Sequence, residues 1–178
     1  MFRERGAAII DADEATHAVY APGTRGFDEI VSQFGPQFIR EGAIDRATLG
    51  ELVFNDPLAR QRLNAIVHPL VREWMAARTV EAVDNGADIV IQDVPLLFEN
   101  DLQGLFSSTV LVYARPATQI SRLVKGRGLT EDRARSMLRS QMPIDQKRAL
   151  ADFVIDNDET REKTRRQVAD VWTKVRSL

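Results

Sequence analysis

The 178-residue chain contains no cysteine, which excludes a disulfide framework, a thiolate metal site and a cysteine nucleophile. Its only histidines, His17 and His68, lie far apart with no partner at metal-ligand spacing, so no zinc site is expected. No apolar run approaches the roughly 18 residues of a membrane span. The opening Met1-Phe2-Arg3-Glu4-Arg5-Gly6 lacks the apolar stretch of a signal peptide. No Gly-x-Gly-x-x-Gly fingerprint and no serine in a nucleophile elbow occurs, which removes support for a dehydrogenase or a serine hydrolase. A net charge of −2 argues against a general nucleic-acid binder. The expectation is a cytoplasmic protein with neither a membrane nor a nucleic acid as partner.

What the chain does have is an ordinary globular composition, 44% hydrophobic and 28% charged, in a length suited to one domain. Four short apolar runs read as strands: Ala7-Ala8-Ile9-Ile10, Ile89-Val90-Ile91-Gln92-Asp93-Val94, Thr109-Val110-Leu111-Val112-Tyr113 and Phe153-Val154-Ile155. They are continuous rather than alternating, as for parallel strands covered on both faces, and helical stretches separate them, which predicts βαβ units. Residues 16–85 read as a wholly helical insert. Asp45 caps a helix with Leu49, Leu52, Val53 and Phe54 on one side, and Asp56-Pro57 starts the next. His68-Pro69 predicts a kink or a new helix start. Beyond it Val71, Trp74, Met75 and Val80 form a buried stripe that Gly86 ends. Pro116 opens a further helix, Gly126-Arg127-Gly128 breaks it, Thr130 caps another, and a last helix runs from about Thr160 to Leu178.

In open parallel sheets ligands bind beyond the carboxyl ends of the strands. Here those ends read Asp11-Ala12-Asp13, Asp93 to Glu99, and Asp156-Asn157. Asp11 or Asp13 can take a proton from a substrate hydroxyl or help hold a metal ion, and either can equally cap the following helix; the spacing does not choose. Between Arg115 and Arg148 nine basic residues face three acidic ones in an otherwise acidic chain, a pattern suited to a polyphosphate ligand or to solvated arginine-rich helices. Arg122, Arg127 and Arg148 are the candidates to neutralise charge on a transferred phosphoryl group, and the glycines flanking Arg127 suit a hinge.

These segments resemble the dephospho-coenzyme A kinase family along nearly the whole chain. The matching pieces are Gly6 to Asp13 with His17, Phe34-Gly35, Ile44 to Leu49, Leu63-Asn64-Ala65-Ile66-Val67-His68-Pro69, Val94-Pro95-Leu96-Leu97-Phe98-Glu99-Asn100, Gln141-Met142-Pro143, Lys147-Arg148 and Ala151 to Asn157. The resemblance implies an α/β, P-loop kinase-like parallel sheet flanked by helices, of the nucleoside monophosphate kinase type with five strands. It divides the single domain into a core (1–15, 86–118 and 144–178), a coenzyme A-binding helical insert (16–85) and a lid (119–143). It implies ATP and Mg2+ as cofactors and transfer to the ribose 3′-hydroxyl of dephospho-coenzyme A. By the same resemblance Asp13 is the base, with Arg122, Arg127 and Arg148 about the transferred phosphoryl group. Asp11, His17, His68, Pro95, Leu96, Leu97 and Glu99 lie about the acceptor, and Asp156 and Asn157 lead toward the adenine of ATP.

Two features depart from that pattern. The lid of the family carries an Arg-Asp pair where this chain has Gly126-Arg127. The family also opens with a strand and a loop of the form G-x-x-x-x-G-K-[S/T], a motif absent from these residues. The expectation is a native start roughly 25 residues earlier, the length of a strand, loop and helix, and negligible kinase activity of the polypeptide as it stands. A related small-molecule or nucleotide kinase and a non-catalytic coenzyme A-binding protein remain as alternative readings.

Overall fold

The computed structural model describes residues 1–178, which divide into two compact units, Gly6–Val94 and Met1–Arg5 with Pro95–Leu178. In the first unit, β1 (Ala8–Asp11) pairs in parallel with β4 (Val90–Asp93), Asp11 standing opposite Asp93 in the register. Between them run α1 (Ala12–Val19), α2 (Arg25–Phe34), β2 (Ile39–Arg40), β3 (Ala43–Ile44), α3 (Arg46–Asn55) and α4 (Pro57–Asp84). In the second unit, β5 (Val110–Tyr113) pairs in parallel with β6 (Phe153–Asp156). Its helices are α5 (Pro116–Arg127), α6 (Glu131–Arg139), α7 (Ile144–Leu150) and α8 (Arg161–Val175). The four apolar runs are therefore the four parallel strands, flanked by helices, and the fold class is α/β as expected. They pair as two two-stranded ladders.

Several helix boundaries follow the capping chemistry. Asp45 accepts from the Thr48 N–H at 3.1 Å, and Thr130 and Thr160 cap α6 and α8. One Asp56 carboxylate oxygen accepts from the N–H groups of both Leu58 and Ala59, at 2.8 and 3.1 Å. Two orphan donors of α4 depend on that single side chain. Asp56→Ala is therefore expected to cost about 0.5–2 kcal/mol, read as a lower denaturation midpoint; an unchanged midpoint would refute the assignment.

Four expectations are corrected. The insert is not wholly helical, because β2 and β3 form a small antiparallel hairpin whose two loop residues, Glu41 and Gly42, both have positive φ (52° and 79°). Strands of two residues leave no periodicity to read, and the surviving signal is the glycine that tolerates this turn. Of the kink or new start expected at His68-Pro69, the new start does not occur: α4 is continuous over 28 residues with Pro69 inside it. A proline costs a helix interior about 3 kcal/mol, but α4 is fastened on both sides of it. Ala59, Leu63 and Val67 enter one apolar cluster with Ile30, Phe34, Ile44 and Leu49, and Met75 enters another with Ile10 and Ala15. Val80, expected in the buried stripe, is 61% exposed, and Phe54, on the helix of buried Leu49, is 66% exposed. Each lies five residues beyond a buried position, Leu49 and Met75, and so rotates off the i, i+3, i+4 face. Finally, the break in the basic stretch falls at Gly128 (φ 65°), which caps α5. Arg127 is thus the last helical residue, and one glycine acts where two were expected.

Coverage of the strands is also uneven. Leu111 and Tyr113 pack with Phe98, while Ile155 packs with Val168 and Val171 of α8. Val112 stays 55% exposed, so β5 is not covered along both faces.

Candidate active site

In the Gly6–Val94 unit the carboxylates divide their work. Asp11, at the end of β1, accepts from the Asp13 N–H at 2.7 Å and is the N-cap of α1. The helix thus begins at Ala12, and the capping alternative applies to Asp11. Asp13 sits in the exposed first turn, and its carboxylate makes no hydrogen bond or ion pair. Across the ladder, partial burial followed by the like charges of Asp11 and Asp13 raises the Asp93 carboxyl above its ordinary range. Three acids thus share one strand end, an arrangement that a cation or a proton would relieve. The sequence reading had named Asp93 only as a strand end.

His17 lies one turn beyond Asp13 on the same face of α1, and both of its ring nitrogens are within 2.6–2.7 Å of Nη1 of Arg46. The Arg46 guanidinium also covers the Tyr20 ring at 5.4 Å. His68 is on α4, its imidazole held below the ordinary histidine range by desolvation and then by Arg72 on the next turn. A hollow of about 420 Å³ in this unit is lined by Ile9, Trp74 and Arg78, not by Asp13, His17 or His68.

In the Pro95–Leu178 unit, Pro95 and Leu96 are exposed in the loop after β4, while Leu97 and Phe98 turn inward onto the cluster around Tyr113. Glu99 is drawn into an internal ion pair: its Oε1 lies 2.6 Å from Nζ of Lys147 and accepts from the Met142 N–H at 3.0 Å. Burial alone would raise this carboxyl, but the Lys147 and Met142 hydrogen bonds outweigh it and hold the group below its ordinary value. Lys147, one of the nine basic residues of the 115–148 stretch, is buried.

The three candidate arginines differ in engagement. Arg122 donates through Nη2 to the Asn157 carbonyl at 2.5 Å. The Arg148 guanidinium lies 5.1 Å above the Tyr113 ring. Arg127, at the exposed end of α5, makes no hydrogen bond, ion pair or ring contact. The loop after β6 is well braced: Asp156 accepts from the Asp158 N–H at 2.9 Å and Asn157 from the Thr164 hydroxyl at 3.1 Å. Asp158 in turn grips Arg115 through its backbone N–H (3.0 Å) and its Nε (2.7 Å). No group of three or more His, Cys, Asp or Glu side chains is arranged to hold a metal ion, and no helix is long and apolar enough to cross a membrane.

Parallel strands ending in carboxylates and amides, with an arginine-rich helical segment, define an α/β phosphotransferase. The comparisons narrow that class. A sequence model of dephospho-CoA kinase matches residues 1–163. The dephospho-CoA kinase of Geobacillus kaustophilus is 45% identical over 169 residues, 94% of this chain and 84% of that protein. That of Streptomyces avermitilis is 45% identical over 170 residues, 95% and 82% of the two chains. Among solved structures, TT1252 from Thermus thermophilus superposes with a TM-score of 0.83 at 28% identity, covering 97% of this chain and 87% of that one. The dephospho-CoA kinase from Campylobacter jejuni shares the fold at 23% identity, with a TM-score of 0.69 over 98% of this chain and 88% of the other. The chain belongs to the dephospho-CoA kinase family.

Proposed function

We propose that the chain catalyses transfer of the ATP γ-phosphoryl group to the ribose 3′-hydroxyl of dephospho-CoA, giving ADP and CoA. The observation that carries this reading is the division of labour at the end of β1: Asp11 is committed to capping α1, and Asp13, one turn from His17, is left free to act on an acceptor. Asp13 takes the 3′-hydroxyl proton as the oxygen bonds to the γ-phosphorus, and the bond from that phosphorus to the bridging oxygen breaks with its electron pair leaving on ADP. His17 and His68 line the acceptor side of the Gly6–Val94 unit.

In the other unit, Pro95 and Leu96 are exposed while Leu97 packs inward, with Glu99 holding their loop in place. Asp156 and Asn157, braced as described, border the adenine. Arg127 is the arginine free to meet phosphate oxygens, whereas Arg122 and Arg148 reach them only by leaving the Asn157 carbonyl and the Tyr113 ring. The chemistry of the donor set fits magnesium arriving with ATP: Asp93, crowded by the charges of Asp11 and Asp13, offers an oxygen ligand, and the ion would keep the rest of its shell from phosphate and water. When bound, magnesium neutralises charge on the phosphates. A cytoplasmic setting accords with this role.

Two measurements test the reading. Dephospho-CoA titrated calorimetrically into the 178-residue polypeptide is expected to bind saturably and to be displaced by CoA. The second is phosphoryl transfer: CoA is expected to form from ATP and dephospho-CoA together and from neither alone. Absence of dephospho-CoA binding, or of CoA formation, would defeat the assignment.

A further inference from the structure

Resting on the acceptor reading above, we propose that Arg46 is a specificity-determining residue that binds the diphosphate of the acceptor, held ready for it by His17 and Tyr20. Arg46 is the first residue of α3, where the positive end of the helix dipole disfavours a cation. The helix already has its cap, since Asp45 accepts from both the N–H and the hydroxyl of Thr48, at 3.1 and 3.0 Å. Helix stability therefore gives no reason for an arginine at this position.

Nor is its charge neutralised. Asp45 pairs with Arg40 at 3.1 Å, and no carboxylate pairs with Arg46. Instead Nη1 rests against the His17 ring and the guanidinium plane covers Tyr20. These contacts fix the orientation of the fork and leave its charge uncancelled. Nε and Nη2 make no hydrogen bond, and they are the pair of donors that a phosphate takes in the bidentate manner.

The location matches the substrate. His17 follows Asp13 by four residues, about 6 Å along α1, so the fork stands roughly one helical turn from the carboxylate that takes the 3′ proton. Dephospho-CoA carries its diphosphate on the 5′ carbon of the same ribose. An acceptor with its 3′-hydroxyl at Asp13 thus directs two phosphates toward Arg46.

The test compares two acceptors by titration: dephospho-CoA, and adenosine, which shares the base and ribose but has no phosphate. In Arg46→Gln, dephospho-CoA affinity is expected to fall about tenfold to a hundredfold, the loss of a charge-assisted pair, with adenosine affinity unchanged. Arg46→Lys is expected to fall between the two, and wild-type binding of dephospho-CoA alone is expected to weaken with added salt. Adenosine affinity reports that the variants are folded. Equal losses for both ligands, or no loss for either, would overturn the proposal and leave Arg46 as a packing residue. Failure of the wild type to bind dephospho-CoA would overturn the acceptor reading itself, and this inference with it.

Discussion

Asp13→Ala is expected to lower phosphoryl transfer about 10²–10⁴-fold, the usual contribution of a positioned general base, while dephospho-CoA binds nearly as well as before. The kinetics are read as CoA formed from ATP and dephospho-CoA. The argument turns on two neighbouring carboxylates with different surroundings. Asp11 is at the strand end, half-buried, its oxygen on the Asp13 N–H. Asp13 is exposed and has no partner. Asp11→Asn keeps a capping oxygen and is expected to retain most activity, because asparagine caps about as well as aspartate. Asp13→Asn keeps the shape but cannot take a proton, and is expected to lose as much as the alanine variant. The opposite ranking, with Asp11→Asn dead and Asp13→Asn active, would move the base to Asp11.

Breaking the Glu99–Lys147 pair is expected to have the largest effect on stability. The two side chains are 18% and 7% exposed, Glu99 gives Oε1 to both Lys147 and Met142, and its Oε2 is buried with no hydrogen-bond partner. Lys147→Met leaves an ionised carboxylate inside the Pro95–Leu178 unit without its counter-charge, at a cost of about 3–5 kcal/mol. For a chain of this length that corresponds to a fall in Tm of roughly 6–20 °C. Pairing Lys147→Met with Glu99→Leu removes both charges and is expected to recover most of the loss. A double variant no better than the single would show that packing, not charge, is at stake. The sign of the pH dependence follows from the lowered Glu99 carboxyl. Its stabilisation is complete above the ordinary glutamate value of 4.5 and fades as acid takes the pH down through the lower native value. Wild type and double variant are expected to converge in stability below that range. A difference undiminished by acid would contradict the linkage.

The sequence made the strands visible because each is a short apolar run, three of them closed by an aspartate, and the helix starts because Asp45, Asp56, Thr130 and Thr160 are strong local caps. Contacts distant in sequence were not visible. Lys147 looks like any basic residue on an arginine-rich helix until Glu99, far back in the chain, is brought against it. The choice between Asp11 and Asp13 rests on one backbone hydrogen bond that spacing does not specify. Pro69 is a strong local signal that tertiary packing overrides, since α4 is buried on either side of it, through Ala59, Leu63 and Val67 in one apolar cluster and Met75 in another. Arg46 did leave a trace in the sequence: a cation just after a capping aspartate, where the helix field opposes it.

The decisive measurement is the position of the phosphate on the product. The protein, incubated with ATP, magnesium and dephospho-CoA, is predicted to yield CoA, with the new phosphate on the ribose 3′ oxygen by mass spectrometry and phosphorus NMR. If it binds both ligands yet leaves the 3′-hydroxyl unmodified, or phosphorylates another oxygen, the account of Asp13 and its surroundings is wrong.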